Sequence, residues 1–96
     1  MPVGVNQGFH FREGSRDIGD LIVTAINPTL GRISLEFENA VTFREISLGR
    51  GESCLLGDGK ITVKAREIIM GRKEPLVNLD FYTKPWFYQW EKWDYE

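Results

Sequence analysis

The sequence predicts an all-β fold, a small antiparallel barrel or sandwich with a short aromatic element at its C-terminus. Two observations carry that prediction. Apolar residues recur with a period of two along several short runs, the pattern of half-buried antiparallel strands. Glycine, asparagine and proline fall between those runs at short, regular intervals, as they do in compact all-β domains. The 96 residues, 42% hydrophobic and 12% aromatic, suit one domain over residues 1–96 with its own core.

The elements follow in chain order. LIVTAI (21–26) is apolar on both faces and reads as a central strand. RISLEFEN (32–39) alternates Ile33, Leu35 and Phe37 with Arg32, Ser34 and Glu36. AVTFREISL (40–48) is rich in β formers, but its apolar phase slips near Glu45, which predicts a bulge or a move between sheets. KITVKAR (60–66) alternates Ile61, Val63 and Ala65 with Thr62, Lys64 and Arg66, and PLVNLDF (75–81) places Val77, Leu79 and Phe81 on one face. Turns are expected at Gly19-Asp20, Asn27-Pro28, Gly49 to Gly51, Gly57-Asp58-Gly59 and Gly71. In the tail (86–96), Trp86, Trp90 and Trp93 lie at i, i+4 and i+7, one face of a helix, with Thr83 as a cap. Glu91, Asp94 and Glu96 oppose the dipole of such a helix, so it needs its tryptophan face packed. An aromatic edge strand is the competing reading.

Two stretches repeat one pattern. REGSRDIGDLIVTAINPTLGRISLEF (12–37) and RGESCLLGDGKITVKAREIIMGRKEPLVNLDF (50–81) both run from a basic residue through a Gly/Glu pair and an apolar-Gly-Asp step into a strand. Each then passes a turn containing Gly-Arg and ends in an alternating strand. The chain divides accordingly into halves of about 8–46 and 46–85.

Charge is nearly balanced, with 12 Lys/Arg against 14 Asp/Glu and a net charge of -2. That argues against a strongly electrostatic nucleic-acid binder and leaves room for a local basic patch. Cys54 is the one cysteine; it sits in an apolar run and is expected to pack, and it excludes an internal disulfide or a cysteine zinc cluster. His10 has no neighbouring cysteine or paired carboxylates in sequence. No metal, cofactor or catalytic residue is expected, and no segment has the pattern of a signal peptide or a membrane helix. A cytoplasmic location is the simplest expectation.

Residues of the second stretch carry a resemblance. Gly51, Glu52, Leu56, Gly57, Asp58, Ile61 and Val63 form a turn and strand similar to the start of the carbon storage regulator family of bacterial RNA-binding translational regulators. Val41, Phe43, Arg44, Glu45 and Ile46 resemble that family's later strand, and the spacing from Arg32 to Arg44 is close to that of its two arginines. The resemblance implies interlaced antiparallel strands, normally supplied by two chains and here by two similar halves, as a monomeric pseudo-dimer or a homodimer. It implies binding of messenger RNA at GGA-containing loops, along edges formed by the first strand of one half and the last of the other. The pattern departs from the family where Leu48 and Gly49 replace a basic pair, where Glu13-Gly14 reverses the Gly-Glu order, and where Gln89-Trp90-Glu91 stands in place of His-Arg-Glu. At most one of two sites is then intact.

Thr42, Phe43, Arg44, Glu45 and Arg50 are the expected RNA-binding residues: guanidinium groups pair with phosphate or stack on bases, and an adjacent aromatic offers a platform. The alternative for Arg44 is an ion pair on an ordinary strand. Lys64, Arg66, Arg72 and Lys73 form a second basic stretch, most simply read as edge protection and solubility. Trp86, Trp90 and Trp93 are the candidates for a second function, in which the acidic, aromatic tail contacts a protein partner; the same rings would otherwise close one end of the core.

Overall fold

The computed structural model describes residues 2–57, 59–83 and 88–95, without the side chains of residues 88–90. Trp86 and Asp58 lie outside the described residues.

Nine strands form two antiparallel sheets: β1 (Pro2–Val3), β2 (Gln7–Glu13), β3 (Arg16–Asn27), β4 (Arg32–Glu38), β5 (Phe43–Gly49), β6 (Ser53–Leu56), β7 (Ile61–Met70), β8 (Pro75–Thr83) and β9 (Tyr88–Asp94). One sheet has the order β5-β4-β3-β2-β9, the other β1-β8-β7-β6. The fold is all-β, as expected; the sheets do not close into a barrel and lie as a sandwich. β3 is the middle strand of the larger sheet, and a bulge at Thr24 shifts its phase, so that Leu21, Val23 and Ile26 all turn toward the core.

Residues 12–37 and 50–81 each run as an antiparallel meander, one per sheet. The ends of the chain cross over. β1 pairs with β8 in the sheet otherwise built from later residues, and β9 pairs with β2 in the sheet built from earlier ones. The two similar halves themselves are not interlaced, a correction to the expectation: each builds its own sheet, and β1 and β9, which cross over, lie outside both.

The core lies between the sheets, and alternation puts it there. Phe9, Phe11, Leu21, Val23, Ile33, Leu35 and Phe37 face Leu56, Ile61, Val63, Val77 and Leu79. Phe81 meets Phe9 and Phe11 edge-on, at centroid distances of 4.6 Å and 5.3 Å. Cys54 packs against this core.

Two further expectations need correction, and one open reading is decided. Gly19-Asp20 is no turn; it lies inside β3, opposite Phe11 and His10. Gly19 has φ 150°, and a Cβ there would sit 2.6 Å from the Phe37 ring, so glycine serves the aromatic packed over it. The tail takes the second of its two readings, an edge strand rather than a helix, over Tyr88–Asp94. The free edge of β2 gives its backbone groups partners, whereas a helix bearing Glu91 and Asp94 in its last turns would work against its own dipole. Finally, β5 pairs with β4 in unbroken register from Glu38↔Phe43 to Arg32↔Gly49, with neither bulge nor change of sheet. The slip at Glu45 arises because the inward position 44 is held by arginine while Phe43 points outward, 55% exposed. β2 itself escaped the sequence reading, although Phe9 and Phe11 flanking His10 carry the period of two.

Candidate functional site

One cross-strand row of the larger sheet runs Arg44–Phe37–Leu21–Phe9–Lys92, from edge strand β5 to edge strand β9. Its three middle members are core. Its two ends are cations, and each reaches to the other sheet. Arg44 donates through Nη1 to the carbonyl of Leu55 on β6 at 2.8 Å, with Nη2 3.4 Å from the Cys54 sulfur. Lys92 Nζ donates to the carbonyl of Pro2 on β1 at 3.4 Å. Inward-pointing charge on an edge strand hinders pairing with further chains, so both ends of this row protect the sandwich.

At the Arg44 end the sheets part into a cleft of about 410 Å³. Three connections build its mouth: the β2–β3 hairpin, the β4–β5 loop and the β6–β7 turn. Asn39 fixes the loop. Its Oδ1 accepts from the Val41 and Thr42 amides at 3.0 Å and 2.9 Å, and its Nδ2 donates to the Ile18 carbonyl at 3.0 Å. Arg16, Arg44 and Lys60 line the mouth, and Asp17 is the one carboxylate among its described lining residues. Asp17 is engaged at 2.8 Å by His10 Nε2. Ile18, Phe37 and Leu56, nearly buried, form the floor.

The residues expected to bind RNA are only partly brought together. Thr42 and Arg44 line the cleft. Phe43 and Glu45 lie on the outer face of the sheet, Glu45 directly opposite Glu36. Arg50 is exposed in the β5–β6 turn, six residues from Arg44 and so about 20 Å away along an extended strand. In that turn the Glu52 carboxylate accepts from the Gly49 amide and lies 3.6 Å from Arg32, so the acid of the Gly-Glu pair holds the turn itself. Arg16 and Lys60 were missed by the sequence reading. They come from segments that no local pattern connects to Arg44. In the second basic stretch, Arg66 lies 3.6 Å from Asp80, which also stands opposite Lys64.

Charge is segregated. The outer face of the larger sheet carries Asp20, Glu36, Glu38, Glu45 and Glu91, with Asp17 at its cleft end, against Arg12, Arg32 and His10. Arg12 pairs with Glu91, and no cation among the described residues pairs with Glu36, Glu38 or Glu45. With so many acids gathered there, the rest of a nearly neutral chain is left basic. On the same face His10 is held from both sides, its Nδ1 2.7 Å from Asp20 and its ring stacked on Trp93 at 4.7 Å. Tyr95 donates to Asp20 at 2.8 Å; burial first, and that hydrogen bond second, push the phenol above its ordinary range. Trp93, 44% exposed, is the one candidate tail tryptophan whose side chain is described. Among the described residues no group of His, Cys, Asp and Glu has the arrangement of a metal site, and no helix is long and apolar enough to cross a membrane.

No protein-family model, curated protein or solved structure matches the chain. The resemblance to the carbon storage regulators therefore rests on the turn and strand residues alone.

Proposed function

We propose that the chain is an RNA-binding translational regulator that takes single-stranded RNA at the edge where β5 meets β6. The observation behind this reading is the convergence of Arg16, Arg44 and Lys60, from three separate segments, on one cleft between the sheets. Cations in a cleft concentrate and orient phosphates. Carboxylates crowded on the opposite face of the larger sheet turn a polyanion toward that cleft, so a net charge of -2 is compatible with binding. The edges of β5 and β6 offer backbone donors and acceptors to splayed bases. Messenger RNA as the target, GGA-type loops as the motif and occlusion of a ribosome-binding site come from the family resemblance. A monomeric pseudo-dimer or a homodimer likewise comes from the family resemblance. A cytoplasmic location belongs to the same reading.

The test is a gel-shift titration with an RNA hairpin carrying GGA in its loop. Micromolar or tighter binding that weakens as salt rises is expected, with Arg44→Ala and Lys60→Ala each costing about tenfold. Absence of a shift at low salt would refute the proposal.

A second reading, a protein-binding module, is favoured by a different observation. Trp93 stays 44% exposed beside an acidic sheet face, a combination suited to a cationic protein partner.

A further inference from the structure

Resting on the RNA-binding reading, we infer that the cleft receives one nucleotide, its base turned inward between the two sheets and its phosphate held at the rim. The cleft combines two chemistries that a nucleotide also combines. Its floor is apolar, formed by Ile18, Phe37 and Leu56; its rim carries Arg16, Arg44 and Lys60. A site for phosphate alone has no use for an apolar floor, and a groove for a continuous backbone would run open along the sheet. A volume of about 410 Å³ is at the small end of the ~300–1,000 Å³ typical of small-ligand sites, room for a single nucleotide and no run of them.

Arg44 is suited to be the wall of such a site. Its bond to the Leu55 carbonyl fixes the guanidinium plane across the gap between β5 and β6. A guanidinium has five N–H donors, so others remain for a base edge or a phosphate oxygen. The acid at the mouth, Asp17, has its carboxylate engaged by the His10 ring at 2.8 Å. Asn39 braces the loop to β3 through the Ile18 carbonyl, so the cavity exists before the ligand arrives. Preformed walls reduce the ordering cost of binding.

The experiment is an abasic scan. Each loop nucleotide of the GGA hairpin is replaced in turn by an abasic one, and affinity is measured for the wild-type chain, Lys60→Ala and Ala40→Trp. Ala40 is an exposed loop residue lining the cleft, so a tryptophan there fills the cavity without entering the core. One abasic position is expected to cost the wild type about tenfold or more, the effect of one well-stacked base, while the other positions cost little. Ala40→Trp should bind the intact hairpin more weakly and lose the difference between positions; Lys60→Ala should weaken all RNAs and keep it. Tight binding with equal effects at every position would overturn the inference and leave the RNA reading standing. A dominant position that survives Ala40→Trp would place the base elsewhere and also overturn it. No binding of the intact hairpin to the wild type would remove both.

Discussion

Arg44 and Lys92 stand at opposite ends of one cross-strand row, and each reaches from the five-stranded sheet to a backbone carbonyl of the four-stranded sheet. What surrounds them differs. Past Arg44, a hairpin, a loop and a turn project beyond the strands and bring Arg16 and Lys60 to an open cleft. Past Lys92, the chain is drawn shut. The Tyr95 amide donates to the Asn6 carbonyl at 2.6 Å, Gln7 donates to Asp94 at 2.9 Å, and Tyr95 turns its hydroxyl to Asp20. The comparison teaches that an inward cation protects an edge wherever it occurs, and that the connections beyond it decide whether the edge also opens into a cleft.

The largest test breaks the row both ends share. Phe9→Ala and Phe37→Ala each remove a nearly fully buried ring and are expected to cost about 3–5 kcal/mol of unfolding free energy in urea titrations. A loss below about 1 kcal/mol at either position would mean that the row is no part of the core.

The next separates protection from recognition. Arg44→Ala should lower RNA affinity about tenfold and reduce the slope of its salt dependence by about one. Lys92→Ala should leave RNA affinity within about twofold. Both side chains are exposed, so neither change should move stability by more than about 0.5 kcal/mol. Equal losses of affinity in the two variants would make the ends functionally alike and defeat the distinction.

The smallest concerns the closed end. The Tyr95 phenol is raised in the folded state, so its contribution is fully present below the ordinary tyrosine value of about 10 and is lost as pH rises through the folded value. Tyr95→Phe should therefore be less stable than wild type near neutrality, by about 0.5–1.5 kcal/mol for one hydrogen bond. The gap should narrow above pH ~10, as followed by unfolding at a series of pH values. A gap constant through that range would show that the phenol proton is not part of the interaction.

The same contrast explains what could be read before the structure. The period of two in 32–39, 60–66 and 75–81 identifies both the strands and their core faces, because alternate side chains of a strand must point to opposite sides. Gly51 and Gly57 fall in turns, as their positive φ requires, while Gly49 closes β5 just before the first of them. Gly19 misled for a reason of the same kind: a glycine followed by Asp20 has the composition of a turn, while its cause is the Phe37 ring, eighteen positions away. The spacing of Trp86, Trp90 and Trp93 misled because a helical period describes a helix only when no open strand edge competes for the backbone. Thr42 and Arg44 were recognised as candidate site residues from their own neighbourhood, whereas Arg16 and Lys60 had no neighbourhood in common with them.

By itself, then, the sequence determined the strand class, the inward faces of 32–39, 60–66 and 75–81, most of the turns and the central place of 21–26, since each depends on side-chain alternation or backbone preference within a few residues. Tertiary structure decided which edges the two ends of the chain would complete, that Arg44 would bridge the sheets, and that three distant cations would meet at one mouth. Those outcomes depend on pairing between segments far apart in the chain, where the free energy belongs to the assembled sandwich and to no single stretch of it.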